Sequence, residues 1–302
     1  MRWRYAIAGS TIESAVELLG PVTDPTETPA TITVRFAALR DDVSWVSDPD
    51  YPGWREAEEP EAWWLDVAGV ATVRVEPTGH LIEVEPRVGA DREVLSHLLV
   101  DLVVPVCFDL LGHLVLHATA VAVDGLALAF TGPTGAGKST LALASARRSG
   151  AMLADDCLVV QLGQTGWIAR ASYPGARVRP DVAIEVLGAA PAGPVNTFTG
   201  KHRVDQADDD LQFSSADSPL GAVIVLDPRP GPLELAPLSS SGALSALLGN
   251  VFHRGPRFRD TARLFDDVAA LVQAIPVYSL TQTRDFHQLD EVAGLCVSAL
   301  TR

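Results

Sequence analysis

The chain is short of the features that take a protein out of the ordinary soluble class. It has only three cysteines, Cys107, Cys157 and Cys296, scattered singly with no C-x-x-C spacing. So sparse and odd a set makes neither a disulfide framework nor a cysteine metal site, and it fits a reducing, cytoplasmic compartment. Long apolar runs are missing. No stretch reaches the roughly 18 uncharged residues of a membrane span, so none is expected. Met1 to Ala8 (MRWRYAIA) lacks the apolar core of a secretory signal, and no signal peptide is expected either. Basic residues are few, 23 Lys and Arg against 38 Asp and Glu, for a net charge of −15. A field of that sign repels nucleic acids and anionic membranes, which excludes both as expected partners, but it permits a local basic cleft around phosphates. There is no repeat at a fixed period and no low-complexity tract. At 302 residues, 47% hydrophobic and 20% charged, the chain is globular in composition and long enough for one large domain or two of ordinary size.

What is present centres on Gly132 to Thr140, which reads GPTGAGKST. This is G-x-x-x-x-G-K-[ST], the P-loop pattern of phosphate binding. The apolar run Leu126 to Thr131 precedes it at strand length, and Leu141 to Arg148, rich in helix formers, follows. Strand, glycine loop and helix together point backbone N–H groups at a polyphosphate. The candidate nucleotide-binding residues are therefore Gly132, Pro133, Thr134, Gly135, Ala136, Gly137, Lys138, Ser139 and Thr140. Lys138 is read as reaching the β- and γ-phosphates, and the Ser139 hydroxyl as taking one position on Mg²⁺. A chance glycine turn ahead of a helix is the bland alternative.

Along the rest of the chain, residues 1–90 read as a β-rich N-terminal domain. Strands are expected at Tyr5 to Ala8, Thr31 to Phe36, Trp63 to Val67, Ala71 to Val75 and Leu81 to Val84, with a short helix near Thr11 to Leu19. Pro21 to Pro29 reads as a loop, and Asp41 to Pro60 as an acidic, turn-bearing stretch. The tryptophans here line a peptide groove or fill the core. Asp91 to Leu111 carries apolar residues at helix spacing and reads as a connecting helix that opens a second domain, 91–302. Leu114 to Val123 and Leu126 to Thr131 flank Asp124-Gly125, a hairpin signal, so the strand feeding the glycine loop has an antiparallel neighbour and the sheet is mixed. Met152 to Val160 (MLADDCLVV) reads as one strand interrupted by Asp155-Asp156. Pro191 to Gly200 and Ala207 to Asp217 read as loop. Ala222 to Leu226 and Ile275 to Leu280 read as strands, and Ser241 to Asn250, Arg259 to Gln273 and Gln288 to Leu300 as helices.

Two adjacent carboxylates in an apolar strand are costly unless they hold a metal or move a proton. One of Asp155 and Asp156 is read as the Mg²⁺ carboxylate and the other as acceptor of a proton from an attacking hydroxyl. His117, one strand away, is brought by the hairpin toward the glycine loop, where it orients the base or meets the transferring group. A satisfied core histidine is the alternative. Arg177, Arg179 and Arg203 are the candidates for a clamp on the γ-phosphate.

The order Leu116-His117-Ala118-Thr119-Ala120-Val121, then GPTGAGKST, then Leu153-Ala154-Asp155-Asp156 resembles the core of HPr kinase/phosphorylase. It is closer still to the related kinases of lasso-peptide and other modified-peptide clusters, which Ile275-Pro276-Val277-Tyr278 and Arg284-Asp285-Phe286 also resemble. The N-terminal module departs from the bacterial enzyme, and that family's later glycine-rich signature is missing. The resemblance implies an α/β P-loop kinase domain of the HPr kinase/PEP carboxykinase-like type, using ATP or GTP with Mg²⁺. It implies Asp156 as general base with His117 as its partner, Lys138 and Ser139 on phosphate and Mg²⁺, and Asp155 supporting metal or base. Lys201 and Arg203 are implied as a basic pair for phosphate or substrate, with a solvated loop as the alternative. Asp181 or Glu185 is a further candidate Mg²⁺ carboxylate. The implied acceptor is a serine hydroxyl of a peptide or small protein, and a homo-oligomer is possible. A regulatory nucleotide-binding protein, a plain ATPase and a kinase of a small-molecule hydroxyl stand as alternatives.

Overall fold

The computed structural model describes residues 2–20, 29–49, 51–190, 200–204, 211–252 and 260–301. The loops read at Pro21 to Pro29 and Pro191 to Gly200 thus lie outside the described residues but for their last positions. The acidic stretch from Ala207 enters only at Leu211. Two compact units result, one built on Met1–His113 and the other on Leu114–Phe252 with Thr261–Arg302.

The first unit is an eight-stranded sheet. Its spatial order is Trp3–Ile7, Ser10–Ser14, Ile32–Phe36, Leu81–Pro86, Ala71–Val75, Ala62–Val67, Trp54–Glu59 and Val46–Ser47. The expected helix near Thr11 is a strand instead. Ser10–Ser14 runs antiparallel to Trp3–Ile7 and parallel to Ile32–Phe36, burying Ser10, Ile12 and Ser14 at period two. Trp54–Glu59 is a strand within the stretch read as acidic turns. Trp63 and Trp64 are both buried, so these two tryptophans belong to the core. The long helical pattern is realised as Arg92–Leu98, a π-helical turn Leu99–Val103 that absorbs Pro105, and Val104–Leu110. Asp91 caps it, accepting from the N–H groups of Glu93 and Val94.

One face of this sheet carries an ion-pair ladder. Asp66, buried, accepts from Arg55 Nη2 at 2.6 Å and Thr72 Oγ1 at 2.8 Å, and also from Arg87. Glu83 is held by Arg35 at 2.6 Å and Arg74 at 2.7 Å. Burial alone would raise the Asp66 carboxyl, but its three donors outweigh that and hold it below the ordinary 3.8. A depressed folded pKa contributes stability that is present above the unfolded value and lost as pH falls through the folded one. Asp66→Asn is therefore expected to cost about 1–3 kcal/mol at pH 7. It should also lose less stability than wild type between pH 5 and pH 3 (a window of about that width follows from the unfolded carboxylate value). Urea unfolding followed by tryptophan emission checks this, since every tryptophan except Trp167 precedes residue 91.

In the second unit the central strand Leu126–Thr131 pairs antiparallel with Ala118–Val123 and parallel with Ser218–Leu226. The mixed sheet is thus realised. Asp124 and Gly125 make the two-residue turn, both with positive φ (49° and 80°). Beyond Ala118–Val123 lies Gly150–Ala154, and beyond Ser218–Leu226 lies Val277–Thr281 and then Glu234–Pro237. From the start of Ser218–Leu226 a branch runs through Gly166–Ala169 and Leu158–Gly163 to Leu114–Leu116. Alternate residues face opposite ways. Val121, Leu128, Phe130 and Ile224 pack with helices Lys138–Ser149 and Leu289–Val297. Ala120, Ala127, Ala129 and Val223 pack with Ser240–Leu248 and Thr261–Ala274. Among the described residues no helix is long and apolar enough to cross a membrane.

Candidate functional site

The glycine loop hangs between Leu126–Thr131 and helix Lys138–Ser149. Gly132 (φ 143°) passes so close to the neighbouring strand that a Cβ there would meet the Leu226 carbonyl at 3.0 Å. Gly137, at φ 103°, starts the helix. The first N–H groups of any helix lack an intrahelical acceptor, and here they face the loop. Lys138 is buried and folds over that loop, donating from Nζ to the carbonyls of Gly132 (2.9 Å) and Pro133 (3.3 Å). Burial pulls its ammonium below the ordinary lysine value.

The strand read from Leu114 to Val123 is broken at His117, and the one read from Met152 to Val160 divides into two at the Asp155-Asp156 interruption. Leu114–Leu116 pairs with Leu158–Gly163, whereas Ala118–Val123 pairs with Gly150–Ala154. The ladder therefore splits at His117 on one side and at the Asp pair on the other. The physical reason at the Asp pair is local. Cys157 N–H donates to Asp155 O at 2.7 Å, closing a three-residue turn with Asp156 at its centre and at φ 61°. A γ-turn with positive φ is rare and strained, a condition found where function holds the backbone.

The break sends the two carboxylates apart. Asp155 is 1% exposed, and its Oδ1 accepts from Ser139 Oγ (2.9 Å) and Thr119 Oγ1 (3.0 Å), its Oδ2 from the Arg177 N–H (2.8 Å). Burial, and then the charge of Asp156, push its carboxyl up. Asp156 keeps a quarter of its side chain exposed and turns to a cavity of about 470 Å³. Its Oδ2 accepts from Arg177 Nη2 at 2.8 Å, with Lys201 Nζ at 3.9 Å. Burial opposes its ionisation, but Lys201, Arg177, His117 and Lys138 together outweigh that and hold it well below the usual carboxylate range.

His117, Lys138, Ser139, Asp156, Arg177 and Lys201 all line this cavity, with Thr134 to Thr140 of the loop. Asp155 lies behind Ser139. Arg179 also reaches the wall but pairs with Asp181, and neither Asp181 nor Glu185 lines it. Arg203 stands across a two-stranded ladder from Arg177 and does not line the cavity. A wall not read from the sequence as part of the site is Gln282, Arg284, Asp285, Phe286 and Leu289. The only signal for it was the Arg-Asp-Phe run after the last strand. Among the described residues no group of three or more His, Cys, Asp or Glu could hold a metal. Beside the glycine loop the site offers the Asp155 carboxylate and the Ser139 hydroxyl, with the Asp156 carboxylate facing the cavity. That donor set suits Mg²⁺, which keeps several waters and takes few protein ligands beside phosphate.

No protein-family model matches this chain, and no curated protein matches it. Among solved structures, that of the Hpr(Ser) kinase/phosphatase from Coxiella burnetii is similar to it. The likeness spans 61% of this chain and 88% of that one, at 14% identity and a TM-score of 0.34. The chemistry of the site has to be read from its own residues.

Proposed function

We propose that the second unit is an HPr kinase-like P-loop kinase domain that transfers the γ-phosphoryl group of ATP or GTP to a hydroxyl, the serine of a peptide or small protein. The observation that carries the reading is the division between the carboxylates: Asp155 buried against Ser139, Asp156 turned to the cavity beside His117, Arg177 and Lys201. A nucleotide switch needs the first arrangement but has no use for the second.

In this reading the loop N–H groups and Lys138 cradle the polyphosphate. Ser139 and Asp155 would hold Mg²⁺, which neutralises charge on the β- and γ-oxygens. Arg177 and Lys201 stand where a transferring phosphoryl needs positive charge. The acceptor oxygen bonds to the γ-phosphorus while the bond from that phosphorus to the β,γ-bridging oxygen breaks, leaving the nucleoside diphosphate. The hydroxyl proton passes to Asp156. A loose transition state, in which the hydroxyl bonds to phosphorus only after metaphosphate character develops, asks for a proton acceptor only late in the transfer. In this reading His117, on the same cavity, orients Asp156 toward the hydroxyl.

Incubating the full chain with Mg–ATP and serine-bearing peptides, then weighing the peptides, tests the reading. A mass gain of one phosphoryl group is expected. Steady ATP consumption with no peptide gaining mass would move the acceptor to water or a small-molecule hydroxyl.

A further inference from the structure

The ionic end of the cavity is taken up by the glycine loop, Asp156 and its cations, and the other wall differs in chemistry. Of the large apolar side chains exposed by the described residues, Phe286 alone lines the cavity. Leu289, half-buried, stands next to it at the start of helix Leu289–Val297. An exposed phenylalanine on a cavity wall is a stacking surface, and among the described residues no ring packs on Phe286.

The loop that presents it is built to stay in place. Arg284 holds a positive φ of 59°, uncommon for a residue with a Cβ. Its guanidinium overrides that preference by bridging two loops, donating to the Gly135 carbonyl of the glycine loop (3.3 Å) and to the Pro228 carbonyl (2.9 Å). Asp285 then caps the 3₁₀ turn Phe286–Gln288, accepting from His287 N–H at 2.9 Å, and Thr283 donates to Gln288 at 2.9 Å. Phe286 is thus tied, through the hydrogen bonds of Arg284, to the loop proposed to hold phosphates.

We infer that Phe286, backed by Leu289 and registered to the glycine loop through Arg284, stacks on the nucleobase of the bound nucleotide. The inference rests on the nucleotide reading of the site. It adds that one ligand spans both chemistries of the cavity, with its polyphosphate at the cationic end and its flat base on the phenylalanine. The cavity is of the size that takes one such ligand. A π-face stacks on any base, so the contact favours a nucleotide over bare polyphosphate without choosing between adenine and guanine.

Calorimetry on the full chain, with Mg²⁺ and either ATP, GTP or inorganic tripolyphosphate, tests it. Phe286→Ala is expected to weaken ATP and GTP alike by about tenfold, as the loss of one base–aromatic stack does. Its affinity for tripolyphosphate should change less than about twofold (the polyphosphate contacts stay intact). Phe286→Trp should restore nucleotide affinity, and its added emission should be quenched by ATP and not by tripolyphosphate. Equal losses for all three ligands, or no loss for ATP, overturn the stacking role. So does a wild type that binds ATP no better than tripolyphosphate. A wild type that binds none of the three overturns the nucleotide reading itself and the base site with it.

Discussion

Asp156→Asn is expected to lose phosphotransfer by about two to four orders of magnitude, the range a positioned general base contributes, while still binding nucleotide. Asparagine matches aspartate in size and tolerates positive φ better than most residues, so the turn centred on Asp156 (φ 61°) should form as before. The substitution removes the proton acceptor and the negative charge that Arg177 and Lys201 face. The cavity then becomes more positive, and Mg–ATP affinity should hold or improve. Single-turnover labelling of an acceptor beside calorimetric titration separates the two effects. An Asn variant that labels its acceptor at the wild-type rate removes Asp156 from the base role. One that loses nucleotide binding together with activity points to a merely structural role for this carboxylate.

Lys138→Ala should have the opposite signature, with binding itself lost. Its ammonium is buried and spans the two carbonyls at the mouth of the glycine loop, the place from which a lysine meets β- and γ-phosphates. Charge-assisted hydrogen bonds are worth about 1.5–3 kcal/mol each, so losing two lowers Mg–ATP affinity by at least about a hundredfold. Because alanine also leaves two carbonyls short of a donor, Lys138→Met serves as a companion that keeps the stem's packing. Both should still fold, shown by a cooperative melting transition, and both should lose affinity to that extent. Unchanged affinity in either would refute the phosphate role.

Much of this site is legible in the sequence, for identifiable reasons. The stretch from Leu126 to Arg148 changes its hydrophobic period at the glycines, so strand, loop and helix declare themselves. Asp124-Gly125 specifies its own turn, and with it the antiparallel neighbour. Residue type and order also group Lys138, Ser139 and the Asp pair, and the structure brings them together, Asp155 against Ser139 and Asp156 on the cavity. The breaks do not follow. Leu114 to Val123 and Met152 to Val160 are apolar on both sides of the interruption, and an apolar run does not say where a strand exchanges one partner for another. Thr11 to Leu19 is ambiguous for a related reason. Ile12, Ala15, Val16 and Leu19 satisfy a helical face, Ile12, Val16 and Leu18 an alternating one, and the neighbouring strands decide in favour of the sheet over Ser10–Ser14. Arg203 groups with Lys201 by proximity in sequence, yet Lys201 precedes the strand His202–Val204 while Arg203 sits inside it, paired with Arg177, so the two side chains need not reach one cavity. The Phe286 wall depends on Arg284 reaching a carbonyl 149 residues away, which no local pattern encodes.

The hairpin that carries the glycine loop has a consequence for how the chain reaches its native state. In a wholly parallel sheet, both neighbours of the central strand arrive through long crossovers, and closing such loops is slow. Here Leu126–Thr131 acquires one neighbour through a two-residue turn, a microsecond event. The far partner Ser218–Leu226 has a much longer loop to close. It can dock onto a two-stranded template that already exists. The strand from which the glycine loop hangs thus has one local neighbour and one distant one. The hairpin at the base of the site belongs to the fast, local part of folding, and the docking of Ser218–Leu226 beside it to the slow, non-local part.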